Sequence, residues 1–236
     1  MLIAIVPFFF YLLGLWRRVF LYIGLVLQTG YIISRGLEVG RLPLVGAHDT
    51  LTFLSASLVA FFIPFHVVMK KNPGVFRGIA LAAAVFTLSG LMAKPHNTPL
   101  PPVLKTLWFE LHVVLAFLSY ALFGIGAIIG ALQIRGKNNS LEGMQYRSIL
   151  IGYCLFSLSM IFGGIWAYLA WGTYWLWTPK ELWTTLVWLF YSLYLHARLL
   201  QGWTGRLSAA LGIAGFVVVM FTYLGVSLLM KSSHTF

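Results

Sequence analysis

Charge is what this sequence has least of. Only 9% of its 236 residues are charged and five are acidic, where a soluble domain carries about 25% charged residues. That shortage excludes a water-exposed globular domain. Cysteine is nearly missing as well. Cys154 stands alone, which excludes an intrachain disulfide framework and a cysteine-rich zinc site. Short alternating segments are absent, so a transmembrane barrel is excluded. No loop is long enough to fold by itself. The N-terminus lacks a basic leader and a small-residue cleavage site, and reads as a first helix rather than a removed signal peptide.

What remains is apolar: 60% of the residues are hydrophobic and mean hydropathy is +0.90. Long apolar runs recur from end to end. In lipid every backbone polar group needs an internal partner, so such runs span as helices. The pattern predicts an all-α, polytopic integral membrane bundle of about eight helices, forming one domain over 1–236. The expected spans are 2–16, 19–34, 50–69, 78–92, 110–134, 148–170, 181–198 and 207–230. The first is short for a bilayer. Gly124, Gly126 and Gly130 in the fifth mark close helix packing.

The net charge of +11 invites a nucleic-acid reading. The basic residues are scattered singly and in pairs between apolar runs, so no nucleic-acid surface exists and the contacting medium is membrane lipid. They serve topology instead. Ten fall on one side: Arg17, Arg18, Lys70, Lys71, Arg77, Arg135, Lys137, Arg147, Arg198 and Arg206. Six fall on the other: Arg35, Arg41, Lys94, Lys105, Lys180 and Lys231. Cytoplasmic loops are the lysine- and arginine-rich ones. This orients both termini, and the loop before the seventh helix, toward the extracytoplasmic side.

Six histidines sort by depth. His48, His96, His112 and His234 fall at the outer side, with His48 and His96 in polar loops. His66 and His196 lie inside apolar helices, near one depth in the inner leaflet. An ionisable side chain in a span is a candidate for function. It either bonds a neighbouring helix, snorkels to the interface or helps to hold a shared ligand. His112 opens the fifth helix and His234 follows the eighth. Neutral imidazole is a common axial ligand of heme iron, and His112 and His234 share a level with the densest aromatic stretch in the chain.

That stretch is WGTYWLWTPKELW, residues 171–183. Five of nine tryptophans lie between Trp166 and Trp183. An interfacial aromatic belt accounts for some tryptophan here, but a belt spreads over both membrane faces. Thr178, Pro179 and Glu181 form an N-cap, N1 proline and N3 glutamate, a capping box that starts the seventh helix. Trp171, Trp175 and Trp177 precede it. Their indoles suit a large planar ligand with polar edges. Lys180 either meets a carboxylate of that ligand or is a solvated first-turn lysine.

WGTYWLWTPKELW resembles the tryptophan-rich WWD segment of the cytochrome c assembly family, whose members include CcsA, ResC and CcmC. Trp171, Gly172, Trp175, Trp177, Pro179, Lys180, Glu181 and Trp183 match its pattern. GRLPLVGAHDTLTFLSAS, LHVVLAFLSYALFG, LHARLLQGWTGR and GVSLLMKSSHTF are similar to further stretches in the family's order, and closer to the CcsA branch. The resemblance implies non-covalent heme (heme b) held outside between His112 and His234 against the tryptophans. It implies passage of heme from inside to outside, with His196 as an in-membrane ligand. His66 rests on the depth argument alone, since some members place the second inner ligand in a ResB/CcsB-type membrane partner. It also implies presentation to the CxxCH of apocytochrome c in the cell's inner (cytoplasmic) membrane, within a heme-lyase or synthetase complex. This chain has no C-x-x-C-H of its own to carry heme covalently. Thr178 stands where the family has aspartate, which keeps the cap and removes a carboxylate. A HemX-like regulator of tetrapyrrole synthesis is the alternative, and a transporter of another planar ligand is a third class.

Overall fold

The computed structural model describes residues 2–68, 72–136, 141–200 and 202–229, with the side chains of 2–3 and 65–68 left aside. The described residues are helical throughout, apart from the connections. The helices are α1 (Leu2–Gly14), α2 (Arg18–Val39), α3 (Ala47–Val68), α4 (Pro73–Met92), α5 (Leu107–Gly136), α6 (Glu142–Trp171), α7 (Pro179–Leu200), α8 (Gly205–Met220) and α9 (Val226–Leu229). A π turn, Phe221–Gly225, joins α8 to α9 in one rod, so the eight expected helices are present. Six are long and apolar enough to cross a membrane: α2, α3, α4, α5, α6 and the α8–α9 rod. The 13-residue α1 is about 20 Å long, short of a hydrocarbon core of about 30 Å. With 22 residues α7 reaches about 33 Å, but its threonines, tyrosines and histidine dilute its hydropathy.

The chain forms two compact units, Met1–Leu100 and Pro101–Phe236. In the first, α3 packs on α4 and α1 packs on α2 and α4. Tyr11, Leu21, Leu54, Leu58, Phe62 and Ile79 fill its interior. Hydroxyls supply polar joints where lipid offers none. Ser55 Oγ bonds Thr87 Oγ1 at 2.7 Å and donates to Ala83 O at 2.9 Å, tying α3 to α4.

The expected second helix, 19–34, runs on to Val39, which places Arg35 inside a helix rather than in a loop. Burial of this guanidinium is tolerated because it is fully engaged. It pairs with Asp49 (3.4 Å) and Glu38 (3.1 Å) and donates to His96 O (3.1 Å) and Asn97 Oδ1 (2.5 Å). Hydropathy alone ends a helix at such a charge. The ion pairs extend it.

In the second unit α5 packs along α6 and α8. Two of the three expected glycines, Gly126 and Gly130, make close helix contacts. A Cβ at Gly126 would lie 2.9 Å from Ile149, and one at Gly130 would meet the Gln145 side chain and Ala209 O. Phe123 stacks on Tyr191 at 3.8 Å, and Gln145 Nε2 donates to Ala209 O at 3.3 Å. α6 begins at Glu142, six residues before the apolar run that marks it. Its first turns are held by the Arg198–Glu142 ion pair and by Ser148 Oγ donating to Leu122 O.

Candidate functional site

The turn between α6 and α7 is built by one carboxylate. α6 ends at Trp171, with Gly172 left-handed at φ 75° as its cap. α7 begins after Thr178, whose Oγ1 accepts Glu181 N–H at 3.4 Å. Glu181 answers through Oε2, which accepts Thr178 N–H and Leu176 N–H, each at 2.9 Å. The expected capping box is therefore present and carries a third bond. The two amides flank Trp177, which is the one non-glycine residue with positive φ among the described residues, at 57°. A left-handed tryptophan costs roughly 1–2 kcal/mol, because its Cβ approaches the next carbonyl. The Glu181 carboxylate, 8% exposed, offsets that cost by holding the amide on either side. Trp177 is turned outward and is 67% exposed.

His112 lies in the second turn of α5, half-buried against α6. Its Nδ1 is 2.9 Å from Ser159 O. A carbonyl only accepts, so Nδ1 carries the proton and Nε2 keeps the lone pair. Ser159 Oγ donates to His112 O at 2.8 Å and lies 3.2 Å from Nδ1. Trp166 runs nearly parallel to the imidazole, with planes 12° apart and centroids 6.5 Å apart. Trp166 is pinned by its Nε1–H to Val103 O at 2.7 Å. Phe109 leans on it at 5.2 Å, and Trp171 meets it edge-on at 4.9 Å.

The structure brings together His112 and Trp171, through Trp166. Trp175 is half-buried in the turn, its carbonyl accepting from Thr173 Oγ1 at 3.2 Å. Neither Trp175 nor Trp177 makes a ring contact among the described residues. Lys180 is half-buried in the first turn of α7. His196 is on the exposed side of α7. His66 falls within α3, but its side chain lies outside the described residues, as does the whole of His234. His48 is structural: Nδ1 bonds Gly90 O at 2.8 Å and Nε2 bonds Tyr31 OH at 2.7 Å. Both its nitrogens are engaged.

Among the described residues, side chains with donor chemistry do not gather into a metal centre. No three His, Cys, Asp or Glu side chains converge among the described residues. Axial ligation of a heme asks for less, one imidazole per face with a bare nitrogen. His112 meets that requirement, and the aromatic wall beside it suits a macrocycle. Sequence reasoning missed Ser159, Gly163 and Trp166. Their spacing of four and three puts them on one helical face, a signal available in the sequence.

The family model for the cytochrome C assembly protein matches residues 44–234. Relatives named cytochrome c biogenesis protein CcsA are similar over most of their length. That of Guillardia theta is 32% identical over 86% of this chain and 79% of its own. That of Prochlorococcus marinus strain MIT 9312 is 34% identical over 89% of this chain and 81% of its own. That of strain MIT 9215 is 36% identical over 84% and 76%. This likeness favours cytochrome c biogenesis over the HemX-like alternative. With a match that runs from the loop before α3 through the tryptophan turn to the tail, the chain belongs to the cytochrome c assembly family.

Proposed function

We propose that this chain binds heme non-covalently at its extracytoplasmic face and delivers it to apocytochrome c, working with a ResB/CcsB-type membrane partner. The observation that carries the reading is the His112 imidazole, fixed with Nε2 bare beside Trp166 and Trp171. His234 is the second axial ligand. Trp171, Trp175 and Trp177 line the macrocycle and Lys180 meets a propionate. Bound heme supplies the iron and the vinyl groups to which the CxxCH thiols attach. The chain's own residues orient that group, keep both axial positions filled and exclude water.

Heme enters from the cytoplasmic side past His196 and His66. His196 faces outward from a helix in lipid, where an imidazole needs a polar neighbour. A partner helix supplies it. The orientation draws support from charge. The proposed cytoplasmic side carries ten lysines and arginines against Glu142 alone, and the outer side carries six against four carboxylates. Arg35, one of those six, is already paired with Asp49 and Glu38. Both termini then lie outside the inner (cytoplasmic) membrane.

The purified chain is expected to be red, with a low-spin bis-imidazole spectrum. His112→Gly and His234→Gly each strip the external heme, and added imidazole restores it. If both variants keep wild-type heme content and spectrum, the assignment of the external site is wrong.

A further inference from the structure

A helical residue covers the surface of the turn preceding it, because Cα–Cβ bonds tilt toward the N-terminus. The carbonyl of Ser159 would ordinarily be screened by the side chain four residues on. That residue is Gly163. A Cβ there would stand 2.6 Å from His112 Nδ1, 2.9 Å from Cε1 and 3.2 Å from Cγ. The imidazole therefore occupies the volume that any larger residue would fill. It uses that space to reach a carbonyl already engaged in the α6 ladder. Gly164, next in sequence, differs. Its Cβ would meet nothing closer than Tyr174 O at 3.6 Å.

We infer that Gly163 is the positioning residue of the external site: by leaving the Ser159 carbonyl uncovered, it fixes His112 as the Nδ1–H tautomer and aims Nε2 at the ligand position. This rests on the proposed role of His112 as an axial ligand. An imidazole in water favours a proton on Nε2, which is the wrong nitrogen for coordination from that atom. The Ser159 carbonyl reverses the preference. A histidine whose second nitrogen donates to a carbonyl is also a more basic ligand. Ser159 Oγ also donates to His112 O, one further tie between α5 and α6 beside their extensive packing.

The test is made first on the heme-free full-length chain, 15N-labelled at histidine and reconstituted in lipid, with the His112 signal assigned by its loss in His112→Asn. Wild type is expected to show a protonated Nδ1 and a bare Nε2. Gly163→Ala is expected to lose that pattern, with the proton moving to Nε2. Gly164→Ala is the control, since it adds the same methyl to the same helix without touching the imidazole. It is expected to keep the wild-type pattern. Ser159→Ala is expected to keep it too, because the acceptor is main chain. Gly163→Ala should remain folded, since only a side-chain ring must swing away, and a thermal midpoint near that of Gly164→Ala checks this. In a second arm, hemin titration should show Gly163→Ala binding at least tenfold more weakly, with high-spin character that added imidazole converts to low-spin. An unchanged tautomer in Gly163→Ala, or a protonated Nε2 in the wild type, overturns the inference. If the wild type shows the expected tautomer yet takes up no hemin, the positioning device stands and the heme-binding reading is what fails.

Discussion

Removing the Glu181 carboxylate should loosen the tryptophan turn by an amount that follows from its bonds. In Glu181→Ala, Leu176 N–H and Thr178 N–H lose a shared acceptor at 2.9 Å. Each bond to a charged group is worth roughly 1.5–3 kcal/mol. Leu176 is 37% and Trp177 67% exposed, so water recovers part of this. The strain of about 1–2 kcal/mol at Trp177 is then unopposed. The net loss is about 2 kcal/mol, or about thirtyfold in the opening equilibrium of the turn. Hydrogen exchange read by mass spectrometry on peptides covering 172–183, with the chain in nanodiscs, measures it. Glu181→Gln keeps an acceptor without its charge and should lose about half as much. Adding Trp177→Gly to Glu181→Ala should recover about 1 kcal/mol, since glycine enters the left-handed region freely. Wild-type exchange at Leu176 and Thr178 in Glu181→Ala would refute the reasoning. The turn would then be held by something other than the carboxylate.

Three other substitutions test other parts of the molecule. Arg35→Ala strands the buried Asp49, whose Oδ2 has no partner already, and should cost about 3–5 kcal/mol, read as a lower thermal midpoint in detergent. Gly130→Leu drives a side chain into Gln145 and Ala209 O and should cost about 1–3 kcal/mol in the same assay. Thr178→Asp restores the residue of the family pattern. It exchanges one good N-cap for another and should alter stability by less than about 1 kcal/mol, with the 172–183 exchange pattern unchanged.

The helices were legible because hydropathy and capping are local. The length of each apolar run sets the spans, and Thr178, Pro179 and Glu181 announce the start of α7 within four residues. Arg35 was not legible. Its charge reads as the end of a helix until Asp49, fourteen residues on, and Asn97 from beyond α4 supply its partners. The start of α6 was hidden in the same way, since its first turns are amphipathic and depend on Arg198. His112 could be placed near one end of a span from the sequence. Its tautomer could not, because that depends on Ser159 and Gly163 of another helix. The outward set of Trp177 had no local cue either, since tryptophan has no preference for left-handed backbone. The buried carboxylate decides it.

The π turn at Phe221–Gly225 has a bearing on which way Val226–Leu229 face. Val226 N–H bonds back five residues, to Phe221 O, where an α-helix would bond back four. A wide turn of this kind accommodates one surplus residue, and each residue advances a helix by about 100°. Val226–Leu229 are thus rotated by about that angle from the azimuth α8 alone would dictate. Excising one residue from the turn would restore an unbroken α-helix and swing Val226–Leu229 around the axis of the rod, with their composition untouched. The compass bearing of Val226–Leu229 is therefore encoded by a single extra amino acid in the five residues just ahead of them.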